Sequence, residues 1–290
     1  MYPDGQLRNY EGVDETALLL WTLARYLLCH PDTPAYESYA NAALAAYTWI
    51  HEYGDSNGDG FTDFTPRTEG TYGGLTVQNW MDSDDSLFHE DTTPISWPVA
   101  PVEVAGYTYA ALLSWQQCLV ANDRHLAEQI EREAMALEIA FNARFCTGDA
   151  DVLASAIDGS GRQVRTVRST LGHILWASVE RYGRRECVLH DAYIPALVER
   201  LMQPDLFTDV GGIHTLSTHS TRFRSDSYHN GPIWPHDSAI VAEGFSHFGF
   251  EAEALAVRTA LGRALLSLGK LYEFYTVTPA GVSPGFESRT

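Results

Sequence analysis

Apolar positions recur at helical rather than strand spacing in several long segments of the chain. Ala254, Val257, Leu261, Leu265, Leu268 and Tyr272 step by 3, 4, 4, 3 and 4, and Leu126, Ile130, Ala134, Leu137 and Phe141 do the same. Each set makes one buried face of an amphipathic helix. Boundary residues agree: Thr33 with Pro34 reads as a helix start, and Gly54, Gly183 and Gly249 stand where helix ends favour a left-handed residue. The pattern predicts eight helices, at about 13–29, 34–53, 103–120, 123–146, 169–182, 187–203, 236–248 and 251–272. Short links join them into four antiparallel αα-hairpins, and the links between hairpins are long and rich in Gly, Pro, Asp, Thr and Trp. The last three hairpins start about 67 residues apart, a repeat of structure without a visible repeat of sequence. The expected fold is all-α in a single domain over residues 1–290, with a helical core and the unusual residues in the loops.

Composition narrows the function. The chain has 290 residues, 45% of them apolar, enough for a sizeable core and too many for disorder. Lys and Arg number 19 against 38 Asp and Glu, a formal charge of −19. Such a charge repels phosphate backbones and anionic headgroups, so neither nucleic acid nor a membrane is an expected partner. The longest apolar run, Ala17 to Ala24, is broken by Thr22 and falls far short of the roughly 20 residues that span a bilayer. The start, MYPDGQLRNYEGVDE, lacks the basic and apolar regions of a signal peptide, which predicts a cytoplasmic protein. Cys29, Cys118, Cys146 and Cys187 show no CxxC spacing and read as four reduced thiols.

The chemistry gathers in the loops. From Asp55, oxygen side chains fall at relative positions 1, 3, 5 and 9, with Gly60 at 6 and the Phe61 carbonyl at 7, as in a calcium loop, but position 12 is Pro66 rather than a bidentate Glu. Two readings stay open: a structural calcium held by Asp55, Asn57, Asp59, Phe61 and Asp63, or an ion-free turn. Next, Trp80-Met81-Asp82-Ser83-Asp84-Asp85 packs three carboxylates into four residues. That placement suits water, a cation or a polar ligand, and Trp80, His89, Trp97 and Tyr107 are side chains that stack on sugars or donate to hydroxyls. Arg162, Arg165 and Arg168, in so acidic a chain, read as ion-paired. Ser169 reads as an N-cap, His173 as a buried histidine or a site residue, and Asp237 as a cap. His229 and His236 have no third ligand at zinc spacing. Glu273, between Tyr272 and Phe274 at the predicted end of the last helix, opposes the macrodipole and is desolvated by its neighbours. Local physics would not choose a carboxylate there, which makes it a candidate functional residue.

Together these segments resemble the glucosidase domain of glycogen debranching enzymes (amylo-α-1,6-glucosidase) and related toroidal glycoside hydrolases, from about residue 8 to about residue 275. The resemblance rests on Asn79-Trp80-Met81-Asp82, on Pro101-Val102-Glu103-Val104 followed by Tyr109-Ala110-Ala111-Leu112, on Ser169 to Trp176 (STLGHILW), and on Ser227 to Asp237 (SYHNGPIWPHD). It implies an (α/α)6 toroid that hydrolyses α-glucosidic bonds with inversion and requires no cofactor. Asp82 is then the general acid and Glu273 the general base. Arg8, Tyr10 and Asp14 would hold the terminal sugar, and Trp80, Glu103, His173, His229, Trp234 and His236 would line the pocket. Inversion needs one protonated and one ionised carboxyl about 6.5–9.5 Å apart. Like charges and the indole beside Asp82 favour its protonated form.

Six hairpins at this period need roughly 400 residues, and four are readable, so the toroid is expected to lack one hairpin at each end and to self-associate through exposed edges. The resemblance favours a branched or short α-glucan as substrate. Two alternatives stand beside it: a glycosidase of the same fold for a disaccharide or glycosyl-glycerate, and a carbohydrate-binding fragment without activity.

Overall fold

The computed structural model describes residues 12–67, 74–278 and 280–285. Two layers of helices frame it. The inner layer is α1 (Asp14–Cys29), α3 (Val102–Leu119), the short α5 (His173–Trp176) and α7 (Pro235–His247); the outer layer is α2 (Tyr36–Tyr53), α4 (Arg124–Arg144), α6 (Ile194–Leu201) and α8 (Glu251–Leu268). Inner neighbours pack in the order α1, α3, α5, α7, and α2, α4 and α8 each back on the inner helix of their own pair. This is the layering of the (α/α)6 toroid. Among the described residues, no helix is long and apolar enough to cross a membrane, and all four cysteines are free thiols.

Burial explains the layers. α3 is buried along its whole length except Gln117, as a helix walled in on all sides must be. α2 and α4 bury a single stripe: Ala43, Ala46, Tyr47 and Ile50 in one; Ala127, Ile130, Ala134, Leu137 and Phe141 in the other. α8 differs from expectation, since its buried residues are Ala254, Val257, Ala260 and Ala264 while Leu265 and Leu266 are exposed. Small residues let α8 lie close to α7, and the leucines fall to either side. Glycines do the same inside. A Cβ on Gly106 would stand 2.8 Å from the Ile174 side chain, and one on Gly244 would stand 2.7 Å from the Trp176 backbone nitrogen. Backbone cannot yield as a side chain tip can, so Gly244→Ala is expected to lower unfolding free energy by about 1–3 kcal/mol in denaturant titrations.

Short strands fill the links. β1 (Val99–Pro101), β2 (Ala156–Asp158) and β3 (Gln163–Val164) form an antiparallel sheet, with Ala100 opposite Ile157. β4 (Ser178–Arg181) and β5 (Arg184–Cys187) form a hairpin, β6 (Phe207–Thr208) pairs with β7 (Gly212–Ile213), and β8 (Tyr275–Thr278) with β9 (Gly281–Pro284).

The third pair departs most from the predicted hairpins. Its first helix is a 3-10 turn over Ser169–Gly172 followed by one α-turn, and it stops at Trp176. The β4–β5 hairpin follows, turning through Tyr182 and Gly183 at φ 52° and 77°, the double left-handed geometry of tight hairpins. Gly183 therefore closes a strand turn, not a helix. Gly54 also keeps right-handed geometry, at φ −71°. α2 begins at Tyr36, with Thr33 only accepting from the Tyr36 amide. α8 ends at Leu268, where Gly269 takes the left-handed cap at φ 74°, so Glu273 lies beyond the helix and the macrodipole argument for it does not apply.

Candidate active site

α1, α3 and α7 all begin at one end of the helix layers, and each carries a buried carboxyl in its first turn: Asp14, Glu103 and Asp237. Helix N-termini favour carboxylates, which offsets part of the cost of burying three of them. Glu103 accepts from Asn79 Nδ2 at 2.5 Å. Asp237 meets His173 Nε2 at 2.8 Å, and Tyr107 meets His173 Nδ1 at 2.6 Å. Both nitrogens of this buried histidine are thus engaged, and Asp237 is its partner rather than a helix cap. One oxygen of Glu103, one of Asp237, the side-chain Oδ1 of Asn79 and the Ser169 hydroxyl have no hydrogen-bond partner among the described residues. Ser169 does not cap the turn it begins. Burial, then the charges of Glu15 and Glu103, push the Asp14 carboxyl up to about 8, so it holds its proton at neutral pH.

Above these acids lies an aromatic cluster built from three distant loops. Trp80 stacks on His173 with centroids 5.6 Å apart and meets His229, Trp234 and His236 edge-on at 5.5, 6.0 and 5.2 Å. Its indole N–H donates to the Thr170 hydroxyl at 3.2 Å. Trp234 in turn stacks on His229 and Phe274 at 4.9 and 5.3 Å. Five predicted pocket residues therefore share one cluster. Burial lowers the pKa of both His229 and His236, that of His229 to about 3, and neither is a cation at neutral pH.

Asp82 and Glu273, 191 positions apart in the chain, both come to this cluster, near enough for the Glu273 charge to act on Asp82. Asp82 is half-buried. Desolvation raises its pKa above the usual carboxylate range, and the charges of Glu273, Glu15 and Asp84 add to the effect. Glu273 is exposed and accepts a hydrogen bond from the Tyr228 hydroxyl. Burial and Glu273 push the Tyr228 phenol up, so it stays a donor. The strand that follows Glu273 is clamped to the 227–234 segment by two bonds between Ile233 and Tyr275, at 2.8 and 3.0 Å. The sequence gives Tyr228 no evident task; a phenol next to a conspicuous histidine and near a tryptophan is the one signal it offers. Removing that donor in Tyr228→Phe is expected to lower kcat about 10-fold with the fold intact, the scale of one hydrogen bond to a charged group.

Other expectations need correction or stand apart. Arg8 and Tyr10 lie outside the described residues. His89 is buried against Asp158 at 3.1 Å and Trp97 packs on Phe64, so neither joins the cluster. Arg162 and Arg165 pair with Asp91 and Asp149, but Arg168 has no ion pair among the described residues and is buried among carbonyls. In the loop at 55–63, Asp55 accepts from the amides of Gly58, Asp59 and Gly60, Asn57 from Asp59, and Asp63 from Ser56. Asp59 pairs with Arg144 at 3.1 Å, and Phe61 is buried edge-on to Phe145 at 5.1 Å. The oxygens converge on amides and a guanidinium, and among the described residues no group of three or more His, Cys, Asp or Glu is arranged to hold a metal. Millimolar calcium is accordingly expected to leave the melting temperature unchanged.

The family described as the mannosylglycerate hydrolase MGH1-like glycoside hydrolase domain matches residues 4–276. The chain belongs to that family. It is a glycoside hydrolase, and the match does not carry the debranching specificity that the sequence motifs suggested. Solved structures agree on the fold. The GH63 mannosylglycerate hydrolase from Thermus thermophilus, in complex with Tris, superposes with a TM-score of 0.66 at 17% identity, covering 98% of this chain and 77% of that one. The same enzyme with Tris and D-glycerate gives 0.66 at 16%, covering 98% and 76%. An uncharacterized conserved protein from the same organism gives 0.66 at 15%, covering 96% and 76%. At such identities the likeness speaks to fold alone. No curated protein sequence matches the chain.

Proposed function

We propose that this glycoside hydrolase cleaves the bond between an α-linked sugar and glycerate, with inversion at the anomeric carbon. The single observation that carries the substrate class is the family match across residues 4–276; that a solved structure of the same fold is named a mannosylglycerate hydrolase supports it. In this reading Asp82 protonates the departing glycosidic oxygen, and its raised pKa keeps a proton available above the usual carboxylate range. Glu273, steadied by Tyr228, accepts a proton from the attacking water on the other face of the sugar. Trp80 offers aromatic surface to the ring, and Trp234, buried and stacked on His229 and Phe274, supports it from behind. The unfilled oxygens of Glu103 and Asp237 and the buried Asp14 suit the hydroxyls of the terminal sugar.

A substrate panel tests the reading. Mannosyl- and glucosyl-glycerate, a disaccharide and a branched α-glucan are each incubated with the protein, and released glycerate or glucose is measured. Turnover of a glycosyl-glycerate well above the α-glucan is expected; glucose from branch points alone would restore the debranching reading instead.

A further inference from the structure

We propose that Arg168 is a positioning residue for the general acid: its guanidinium pins residues 81–86 to residues 229–230 and thereby sets the placement of Asp82. The inference rests on the reading of Asp82 as the acid, and its test separates the two.

Arg168 is 2% exposed and among the largest fully buried side chains. No carboxylate among the described residues pairs with it, although the chain has twice as many acidic as basic residues. A buried cation without a counter-ion is costly, and an apolar side chain could fill the space more cheaply. What an apolar side chain cannot do is donate five hydrogen bonds in a fixed planar fork. Arg168 uses that fork across three segments. Nη1 donates to the His229 carbonyl at 3.1 Å and lies 3.7 Å from the Met81 sulfur, Nη2 donates to Asn230 Oδ1 at 2.9 Å and to the Ser86 carbonyl, and Nε donates to the Thr166 hydroxyl at 3.3 Å. Burial lowers its pKa to about 10, which still leaves it charged at neutral pH.

The partners bracket Asp82. Met81 precedes it, and Ser86 closes the loop by donating to the Met81 carbonyl at 2.6 Å. Asn230, held by Arg168, donates to the Asp85 carbonyl at 2.9 Å. His229, kept neutral by burial and by the Arg168 charge, meets the Ser83 hydroxyl through Nδ1 at 3.0 Å. A loop carrying three carboxylates in four residues would otherwise swing toward water. The ionisable groups facing Asp82 are Glu273 and Tyr228 from across the cluster, Glu15 from α1, and Asp84 from its own loop. None of them bonds to Arg168, so loosening the loop acts on Asp82 mainly by hydrating it. Hydration favours the carboxylate, and the proton would leave at lower pH.

Leaving-group dependence provides the test. An unactivated glycoside needs its departing oxygen protonated, whereas a glycosyl fluoride departs with little help from an acid. Arg168→Lys, checked for folding by circular dichroism and melting, is expected to lower kcat on an unactivated glycoside about 30-fold, part of the 10²–10⁴ that a positioned acid supplies. Its kcat on the matching fluoride should change less than about 3-fold, and the basic limb of its pH profile should move to lower pH. Equal losses on both substrates, or an unmoved basic limb, would overturn the proposal. If the lysine variant does not fold, Asn230→Ala carries the same test, since it removes the links to Arg168 and Asp85 together; equal losses there overturn the proposal too. Asp82→Asn runs alongside. If Asp82→Asn itself loses equally on both substrates, the acid assignment fails rather than the role of Arg168.

Discussion

Asp82→Asn is expected to lower kcat on an unactivated glycoside by about 10³-fold, within the 10²–10⁴ that general acid catalysis provides, while KM changes less than about 3-fold. The amide is nearly isosteric with the acid and keeps the loop's anchors, because the hydrogen bonds that fix residues 79–86 involve Asn79, Trp80, Ser83, Ser86, Arg168 and Asn230 rather than the Asp82 side chain. What it lacks is a proton to give. The loss should therefore vanish with a fluoride leaving group. The pH profile sharpens the expectation. Asp82 works only while protonated, and burial with three neighbouring carboxylates raises its pKa. Wild-type kcat/KM should therefore persist above the usual carboxylate range and fall as pH rises through the raised value. That basic limb should be missing in Asp82→Asn. A retained limb would assign it to another group, for which buried Asp14, at about 8, is the first candidate.

Glu273→Gln is the second large effect, again about 10³-fold in kcat, but with the opposite dependence on leaving group. Water must be activated whichever group departs, so glycoside and fluoride should suffer alike. The Gln side chain can still meet the Tyr228 hydroxyl, and the Ile233–Tyr275 clamp is untouched, so the variant should fold as wild type does. Retained turnover of both substrates would remove Glu273 from the mechanism. The next carboxylates to examine would be Asp84 and Asp85, which lie on the same acidic loop as Asp82.

Seven of the eight helices are legible in sequence because each shows either a buried stripe or, in α3, an unbroken buried run, although α6 is shorter than the predicted 187–203. α5 is not. Ser169 to Leu175 is buried on every side, so no helical stripe marks where it stops. The strands after it turn through Tyr182 and Gly183, a dipeptide less telling than Asn-Gly. Site residues divide on similar lines. Trp80, His173, His229, Trp234 and His236 were visible as unusual side chains in long loops, and convergence of those loops at one end of the helix layers is a property of the fold. Glu273 was singled out because of a helix end that does not reach it, since Gly269 caps α8 four residues earlier. Arg168 and Asp237 were missed because local reasoning supplies each with a bland role, an ion pair and a cap. Only the assembled fold shows one surrounded by carbonyls and the other bonded to a buried histidine.

Stereochemistry is the most direct test of the central claim. An α-linked glycosyl-glycerate is hydrolysed in an NMR tube, and the anomeric proton of the released sugar is followed before mutarotation. An acid and a base acting on opposite faces of the sugar predict the β-anomer first. The α-anomer appearing first would mean a covalent intermediate and retention, and the roles assigned to Asp82 and Glu273 would both have to be withdrawn.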